Sequence, residues 1–365
     1  MVILINCSNL KAGGGLQVAQ SILEQLGRFN KHHFIAVISS YINDENLSNG
    51  KNIEVFRYDI RHSIKTVLLG RDVFLDNLVR KKNVDSVLTV FGPSLWRPRC
   101  KHLCGFARAQ LLLKDSPYFN HISTKDRLIF HIWEWAFKRS SDVFYTENSY
   151  ISRLLQDKFA KARVYTVTNY YHQIFDNPQK WQRNTVLPPF PGITCLSVSS
   201  YSVHKNFEII EDIVGILHHK APSLRVRFVL TFDGDEMDIN EEAKGNVLFI
   251  GKQDISQIPY LYEQCDIMFM PTLLECFTAT YPEAMRMGKP IVTTDLEFAR
   301  GLCGNAACYY SALDADAAAD AIIRVSTDKL YASQLVLNGK QQLNSYDNYE
   351  QRASKLIAVL EEITK

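Results

Sequence analysis

The sequence predicts an α/β fold of two Rossmann-like, doubly wound domains that face each other across a cleft. Short apolar runs rich in β-branched residues alternate with helical stretches along the chain, which indicates parallel sheets covered by helices on both faces. The alternation weakens once, in a proline-rich segment at residues 177–192. The length of 365 residues is also more than one hydrophobic core usually supports, so two domains are expected.

The first half begins with an apolar run at residues 2–6, which is followed by a glycine-rich turn. Further short apolar runs predict strands at residues 34–39, 53–58, 84–91, 102–106, 143–146 and 164–168. Apolar residues at helical spacing predict helices at residues 16–26, 62–82 (as one helix or two), 124–139 and 149–159.

Residues 177–192 include four prolines and show little periodicity, which is typical of a linker. Beyond it, strands are predicted at residues 194–198, 226–231, 247–250, 267–270 and 291–294, and helices at residues 207–218, 258–264, 283–287, 315–325 and 349–362. We therefore expect an N-terminal domain at residues 1–176, a linker at 177–192, a C-terminal domain at 193–345, and a final helix within 346–365 that packs back toward the N-terminal domain.

The composition excludes some classes of protein. With 46% hydrophobic residues the chain is not expected to be disordered, and its eight cysteines are too thinly spread for a disulfide scaffold. Two close pairs, Cys100 with Cys104 and Cys303 with Cys308, lack a second pair or a His cluster at metal spacing, so buried structural cysteines are expected. The chain start lacks the pattern of a signal peptide, and no apolar run approaches the ~20 residues of a membrane span, which predicts a cytoplasmic protein. The formal net charge of +2 conceals an asymmetry, because residues 1–180 contain 25 Lys and Arg against 15 Asp and Glu, whereas residues 181–365 contain 16 against 24.

Three loops between a strand and a helix are candidates for binding chemistry. The first contains Gly13, Gly14 and Gly15, whose backbone N–H groups can approach a phosphate closely at a helix start. The dinucleotide fingerprint G-x-G-x-x-G is not satisfied, because its third glycine would fall on Val18. A tight strand-to-helix turn without a ligand explains these glycines equally well.

The second loop lies after the first strand of the second domain and contains Ser200 and Lys205, with Asn206 at the expected start of the next helix. An ammonium group in this loop can pair with a diphosphate, although an ordinary surface lysine is the simpler interpretation. The third loop has two carboxylates, Glu275 and Glu283, separated by seven residues, with Pro282 suited to a first helical turn. Both carboxylates are expected to point toward one pocket, and a capped, solvated helix start is the alternative.

Together these motifs resemble the GT4 family of group 1 retaining glycosyltransferases, which have the GT-B fold. The resemblance covers nearly the whole chain and rests on the E-x7-E pair Glu275 and Glu283, the glycine-rich loop, and Lys205 between His204 and Asn206. The passages at residues 167–169, 284–292 and 316–322 are similar to the family as well.

The resemblance implies roles for individual residues. Glu283 would bind the ribose of a nucleotide-sugar, and Glu275 would lie near the transferred sugar. Lys205 would neutralise the leaving β-phosphate, which is electrostatic stabilisation of a charge that develops in the transition state. The remaining donor-binding residues that it implies are Gly14, Gly15, Ser200, Cys276, Phe277 and Thr278, of which the last three would contribute backbone amides. No metal or other cofactor is expected.

Two departures from the family pattern concern the active site. Ser200 stands where many members have an arginine, and the stretch around Gly105 lacks the histidine that many members have in the catalytic pocket. His102 is close by, but its position in a strand favours a packed role. Phe91, Ser94 and Arg108 are candidates for the acceptor side of the site.

Two further patterns have a simpler interpretation beside the functional one. Asp233-Gly234-Asp235 resembles a D-x-D metal motif, but its acidic loop favours a solvated turn. Residues 57–82 combine basic side chains, which are Arg57, Arg61, Lys65, Arg71, Arg80, Lys81 and Lys82, with apolar ones, which are Ile64, Val67, Leu68, Phe74, Leu75 and Leu78. Such a segment can lie on an anionic membrane, and an ordinary helix with a charged outer face is at least as good an explanation.

The expected function is transfer of a sugar from a nucleoside-diphosphate sugar to a saccharide acceptor, with retention and without a metal. A lipid-linked acceptor in O-antigen or capsule assembly would fit the basic N-terminal domain, which is expected at the inner leaflet of the cytoplasmic membrane. The alternatives are a nucleotide-sugar epimerase or hydrolase with the same fold, and a non-catalytic nucleotide-sugar-binding subunit. A nucleic-acid partner is not expected, because no motif for one accompanies the charge.

Overall fold

The computed structural model describes residues 1–11, 13–43, 47, 51–61 and 63–365. Ala12 of the glycine-rich loop and His62 of the predicted first-domain helix lie outside the described residues, as do the side chains of Ile64 and Lys65. The chain divides into two compact units. The first unit comprises residues 1–114, 122–172 and 347–365, and the second comprises residues 115–121 and 173–346.

The first unit alternates strands and helices, as the sequence predicts. Its strands are β1 (Val2–Cys7), β2 (His33–Ile38), β3 (Ile53–Arg57), β4 (Ser86–Thr89), β5 (Lys101–Gly105), β6 (Val143–Thr146) and β7 (Arg163–Thr166). Its helices before residue 172 are α1 (Gly14–Leu23), α2 (Ile64–Leu69), α3 (Val73–Lys81), α4 (Thr124–Ser140) and α5 (Ser149–Lys158). Gly70, with a positive φ of 64°, separates α2 from α3, so the segment predicted at residues 62–82 forms two helices.

The second unit repeats the pattern with a smaller sheet. Its strands are β8 (Ile193–Ser197), β9 (Val226–Leu230), β10 (Val247–Phe249), β11 (Ile267–Met270), β12 (Ile291–Thr294) and β13 (Ala307–Tyr310). Its helices are α6 (Ile209–Lys220), α7 (Ile258–Glu263), α8 (Thr280–Arg286), α9 (Glu297–Cys303), α10 (Ala315–Thr327) and α11 (Lys329–Gln342). The sequence analysis did not predict β13, α9 or α11.

The final helix, α12 (Tyr349–Thr364), belongs to the first unit. Asn348 caps it through hydrogen bonds from the backbone N–H groups of Glu350 and Gln351. Leu356 and Leu360 of this helix are buried in the same hydrophobic core as Ile3 and Ile5 of β1. Burial of this apolar face explains why the chain returns to the first unit after residue 346.

The segment predicted as a linker is attached to the second unit. The backbone N–H of Leu187 donates to Oε1 of Gln264 at 2.8 Å, and Nε2 of Gln264 donates to the carbonyl of Thr185 at 2.9 Å. The Arg227 guanidinium donates to the Pro188 carbonyl at 2.6 Å. Residues 115–121 also belong to the second unit, although the sequence placed them in the N-terminal domain.

In the described part of the chain, both sheets are parallel and doubly wound. The first has the strand order β3-β2-β1-β4-β5-β6-β7, and the second has the order β10-β9-β8-β11-β12-β13. The strand order reverses between β1 and β4 in the first sheet and between β8 and β11 in the second. In such sheets ligands bind at the carboxyl ends of the strands next to this reversal, so those two edges are where a site is expected.

Candidate functional site

At the reversal in the second sheet, hydrogen bonds join β8 to β11 and also join the loops that follow them. Oγ of Ser197 donates to the carbonyl of Phe269 at 2.7 Å, and the N–H of Leu273 donates to the carbonyl of His204 at 2.8 Å. These bonds hold the loop with Lys205 beside the loop with Glu275. The sequence could not show this contact, because the two loops are about 70 residues apart.

Lys205 and Glu275 form a mostly buried ion pair, in which Nζ of Lys205 donates to Oε1 of Glu275. The hydroxyl oxygen of Thr272 lies 3.1 Å from the same carboxylate oxygen and 3.3 Å from the carbonyl oxygen of His204. An ion pair that is removed from water stabilises little by itself, but loss of one partner leaves the other charge buried and unpaired. The structure therefore brings two predicted site residues together, and each of them neutralises the buried charge of the other.

Glu283 lies in α8 and is almost completely buried. Burial raises the pKa of its carboxyl to about 7, and the hydrogen bond from Tyr262 opposes that rise. The Tyr262 hydroxyl is 3.4 Å from Oε2 of Glu283, which is long for a hydrogen bond between oxygens. A buried carboxylate with so weak a partner is a strong acceptor for hydroxyl groups of a ligand.

The loop between Glu275 and α8 contains the other predicted residues of this unit. Cys276 and Thr278 are buried, and the Thr278 and Thr280 hydroxyl oxygens are 2.9 Å apart. The ring of Phe277 meets that of Tyr346 edge to face at 6.0 Å. Ser200 is exposed at the end of the other loop. Asn206 does not begin a helix, because it has a left-handed backbone and α6 starts at Ile209.

Two residues near this pair, Ser116 and Tyr118, were missed by the sequence analysis. Ser116 donates from Oγ to the carbonyl of Leu273 at 2.6 Å, and the ring of Tyr118 meets that of His204 edge to face at 6.1 Å. Burial lowers the pKa of His204, with the nearby Lys205 charge adding to that effect and Glu275 opposing it. Ser116 and Tyr118 belong to the second unit because the short segment 115–121 does, although the residues on both sides of it belong to the first unit. No local pattern in the sequence indicates this change of unit.

In the first unit, the glycine-rich loop and Phe91 lie at the reversal between β1 and β4. A methyl group on Gly15 would be 3.5 Å from Leu10 and 3.6 Å from Phe91, and one on Gly14 would meet nothing within 4 Å. The amide of Asn9 donates to the Phe91 carbonyl at 2.7 Å. The structure therefore brings Gly15 and Phe91 together, while Gly14 faces open space.

The other residues predicted for the acceptor side have different environments. Ser94 is fully buried, and its hydroxyl donates to the carbonyl of Trp96 at 3.1 Å, so its side chain is not available to an acceptor. The Arg108 guanidinium lies 4.2 Å from the centre of the Trp133 ring, which is a cation–π contact.

Gly105 cannot be replaced by the histidine of the family pattern. A Cβ atom at this position would lie 1.9 Å from the Val90 carbonyl oxygen and 2.8 Å from the Tyr145 ring. The neighbouring His102 is packed, as predicted: its ring nitrogens lie 2.9 Å from the Thr89 hydroxyl and 2.8 Å from the Ser140 carbonyl. Burial lowers the pKa of His102 to about 4, so it is neutral at pH 7.

The cysteines and the D-x-D sequence agree with the simpler interpretations. All eight cysteines are free, and all but Cys100 are buried. Asp233, Gly234 and Asp235 form an exposed turn. Among the described residues, no group of three or more His, Cys, Asp or Glu side chains is arranged to hold a metal ion.

The apolar side chains of residues 57–82 are divided between the core of the first unit and its surface. Leu75 and Leu78 of α3 are buried in the core of the first unit, and Phe74 packs against the same core. Lys82 pairs with Glu54 at 2.6 Å. Of the apolar side chains described in this segment, Leu68 and Leu69 on α2 and Val73 on α3 are exposed. Folding therefore uses Phe74, Leu75 and Leu78, and contact of this segment with a membrane stays a prediction.

A comparison with protein families finds a match for the part of the chain that contains the loops of Lys205 and Glu275. Residues 192–328 match the family described as glycosyl transferases group 1, and this range includes Lys205, Glu275 and Glu283. Residues 192–328 form a group 1 glycosyltransferase domain. A comparison with curated proteins finds no match.

Solved structures match over nearly the whole chain. Sucrose-phosphate synthase from Thermosynechococcus elongatus is 16% identical, with a TM-score of 0.70 over 99% of this chain and 98% of that one. HepE of Anabaena, in complex with UDP and glucose, is 14% identical, with a TM-score of 0.66 over 99% of both chains. A UDP-forming α,α-trehalose-phosphate synthase from Burkholderia vietnamiensis is 10% identical, with a TM-score of 0.70 over 100% of this chain and 97% of that one. The chain therefore has the GT-B fold.

Proposed function

We propose that this protein is a retaining glycosyltransferase that moves a sugar from a nucleoside-diphosphate sugar to a saccharide acceptor. The observation that carries the proposal is the Lys205–Glu275 ion pair, together with the buried Glu283 in the helix that follows the loop of Glu275. The three residues lie in a group 1 glycosyltransferase domain, at the sheet edge where ligands bind in doubly wound folds. HepE, which has a similar fold, is known in complexes with UDP and with UDP-glucose, and UDP is therefore the first nucleotide to test.

In this proposal, Glu283 accepts hydrogen bonds from the ribose hydroxyls of the donor. Hydrogen bonds to a charged group contribute about 1.5–3 kcal/mol each, so this contact would account for a large part of the nucleotide affinity. Backbone amides of Cys276, Phe277 and Thr278 hold the sugar and the diphosphate. The raised pKa of about 7 means that the carboxylate form needed by the ribose is lost as the pH falls below neutrality.

Lys205 acts on the leaving group. In the structure its ammonium group is paired with Glu275, so in this proposal the donor diphosphate competes with that carboxylate for the same cation. As the bond between sugar and phosphate breaks, negative charge grows on the β-phosphate, and the partly buried ammonium stabilises it. Because Lys205 supplies this charge, we propose that turnover needs no metal ion and persists in the presence of EDTA.

The acceptor is proposed to be a saccharide on a lipid diphosphate, in assembly of an O-antigen or capsule polysaccharide. This proposal is supported by the net positive charge of the first unit, which contains 27 Lys and Arg against 17 Asp and Glu. We further propose that the enzyme works in the cytoplasm at the inner leaflet of the membrane. No helix among the described residues is long and apolar enough to cross a membrane.

One observation favours a second candidate, a nucleotide-sugar-binding subunit without turnover. Gly105 has no space for the pocket histidine of the family pattern. Isothermal titration with UDP, GDP and ADP, followed by a UDP-release assay with the matching nucleotide-sugar, separates the candidates. The proposed function predicts saturable binding of one nucleotide and turnover that increases with acceptor. Binding without turnover would support the subunit, turnover that never depends on an acceptor would support a hydrolase or epimerase, and absence of all binding would contradict every candidate.

A further inference from the structure

The first unit has exposed apolar side chains on two helices. On α4, Leu128, Ile132 and Trp135 are 62%, 49% and 43% exposed, and their spacing places them on one face of the helix. On α2, Leu68 and Leu69 are 61% and 63% exposed. We call these five residues the apolar ridge.

Arg139 joins the two parts of the apolar ridge. Its guanidinium donates to the carbonyl of Val67 on α2 at 3.1 Å, and the same group lies 4.9 Å from the centre of the Trp135 ring. Arg139 therefore connects α2 with the exposed apolar face of α4. Large apolar side chains grouped on a surface favour an interaction with an apolar phase or a partner.

A basic cavity of about 760 Å³ lies at the end of the apolar ridge. Leu69 and Ser140, the last residues of α2 and α4, line it. The other lining residues that matter here are six cations and one acid, namely Arg71, Arg97, Arg99, Lys101, Lys161, Arg163 and Asp142. Lys101, Val143 and Arg163 begin β5, β6 and β7, so the cavity is at the amino edge of the sheet, away from the glycine-rich loop.

Carboxylates neutralise only part of the charge in this cavity. Arg71 pairs with Asp76 at 2.9 Å, whereas the contacts of Arg97 with Asp142 and of Arg163 with Glu362 are long, at 3.9 Å and 3.7 Å. In the described part of the chain, Arg99, Lys101 and Lys161 form no ion pair with a carboxylate. Guanidinium and ammonium groups in a concave site are well suited to bind phosphate.

We propose that the apolar ridge and the basic cavity together dock the protein on an anionic phospholipid membrane, with the ridge in the interface and lipid phosphates in the cavity. Tryptophan at the boundary between apolar and charged groups is typical of the membrane interface, and basic side chains next to it attract anionic lipids. Nucleic acid would pair with the cations but would leave the leucines and Ile132 in water. This docking surface rests on the proposed function, because a lipid-linked acceptor would be reached at such a membrane.

Vesicle flotation of the full-length protein tests this surface. We expect recovery with vesicles of phosphatidylcholine and phosphatidylglycerol at low salt, little recovery with phosphatidylcholine alone, and a large decrease at about 0.5 M NaCl, where charges are screened within a few Å. The double variant Ile132→Ser, Trp135→Ser should lower the partition coefficient by roughly tenfold, because it removes apolar area from the ridge. The matched control is Leu330→Ser, Leu337→Ser, on exposed apolar residues of α11 in the second unit.

The cavity is tested by Arg99→Gln, Lys101→Gln, Lys161→Gln together. Each cation near an anionic surface strengthens binding about fivefold, so the triple variant should lower partitioning by more than tenfold. Its control is Lys31→Gln, Lys51→Gln, Lys81→Gln, on exposed lysines of the same unit outside the cavity. All of these positions are on the surface, and an unchanged melting temperature would confirm that each variant folds.

Equal recovery with neutral and anionic vesicles would overturn the proposal, as would cavity or ridge variants that float as well as their controls. Binding of a single-stranded oligonucleotide, lost in the cavity variant and unaccompanied by vesicle recovery, would also overturn it. UDP titration of each variant separates the two claims. Flotation without nucleotide binding would contradict the proposed function alone, and nucleotide binding without flotation would contradict the docking surface alone.

Discussion

At the strand-order reversal of the first sheet, the loops after β1 and β4 contribute glycines and Phe91, whereas at the reversal of the second sheet the loops after β8 and β11 contribute Lys205 and Glu275. The two edges have the same topology and very different chemistry. The first offers backbone and open space, and the second offers paired, buried charges. A doubly wound sheet therefore fixes where a ligand is expected, while the residues on its loops decide which chemistry is possible there.

The net charges of the two units do not follow the location of the predicted cation, Lys205. The first unit has the excess of Lys and Arg, and the second contains 14 Lys and Arg against 22 Asp and Glu. The cation proposed to act on the donor is therefore a single lysine in an acidic unit. In this proposal a local ion pair, and not the overall charge of a unit, points to the residue that binds the phosphate.

Removal of that lysine should have the largest effect. Lys205→Ala should lower the turnover of a nucleotide-sugar by about 10²–10³-fold, which is the range for loss of one electrostatic donor in a transition state. Donor affinity should change less than turnover. The assay is UDP release, with Lys220→Ala as the control because Lys220 pairs with Asp316 and Asp320 on the surface of the same unit. Turnover reduced equally in both variants would contradict the role of Lys205.

A second prediction concerns the glycines of the first unit. Gly105→Ala should lower the free energy of unfolding by about 3 kcal/mol or more, because its Cβ would overlap the Val90 carbonyl. Gly14→Ala, at a position with open space, should change it by less than about 1 kcal/mol. Urea denaturation measures both. A Gly105→Ala variant as stable as Gly14→Ala would mean that the pocket can admit a side chain, and would reopen the question of the missing histidine.

The pH dependence of stability should expose one buried glutamate in each unit. Burial raises the pKa of Glu283 in the second unit and of Glu147 in the first from 4.5 to about 7. Because the folded state binds each proton more tightly than the unfolded state, stability should fall as the pH rises from about 4.5 to about 7. Glu283→Gln and Glu147→Gln should each weaken this fall, by up to about 3 kcal/mol at pH 8. Denaturation at pH 5 and pH 8 measures the decrease in stability. A decrease in both variants as large as in the unmodified protein would contradict its assignment to these two glutamates.

The smallest effect should come from Tyr262→Phe. This hydroxyl opposes the raised pKa of Glu283 through a long hydrogen bond, so its loss should move that pKa further upward. UDP affinity at pH 7 should then fall by less than about fivefold, since a weak hydrogen bond contributes about 1 kcal/mol or less. When UDP affinity is measured across neutral pH, the pH at which half of the affinity change has occurred should be higher in Tyr262→Phe than in the unmodified protein. A loss as large as that of Glu283→Ala would mean that Tyr262 contacts the nucleotide itself.

The sequence was sufficient to predict the two doubly wound units and most of their elements, because alternating apolar strands and helices reflect burial on both faces of a sheet. It was also sufficient to select Lys205, Glu275 and Glu283 as candidates, since these residues lie in, or directly after, loops that follow recognisable strands. It could not predict the excursion of residues 115–121, the attachment of the proline-rich segment, or the inward orientation of Ser94. Each of these depends on hydrogen bonds between residues far apart in the chain, or on the direction of a side chain, which no local pattern encodes.

The same limit explains why both interpretations of residues 57–82, a membrane segment and an ordinary helix with a charged outer face, stay open in the sequence. Composition reveals that basic and apolar side chains occur together, but not which of them the core buries. Leu75 and Leu78 of α3 are buried in the core, whereas the α4 side chains of the apolar ridge are exposed. Local amphipathicity is therefore a weak guide until the buried face of each helix is known.

Isothermal titration of UDP into three proteins tests the central claim that Glu283 in the second unit holds the nucleotide. The proteins are the unmodified chain, Glu283→Ala and Glu147→Gln, so that one buried glutamate of each unit is changed. We predict saturable binding to the unmodified chain, a loss of about tenfold to a hundredfold in Glu283→Ala, and no loss in Glu147→Gln. If UDP binds, an unchanged affinity in Glu283→Ala, or an equal loss in both variants, would contradict the claim.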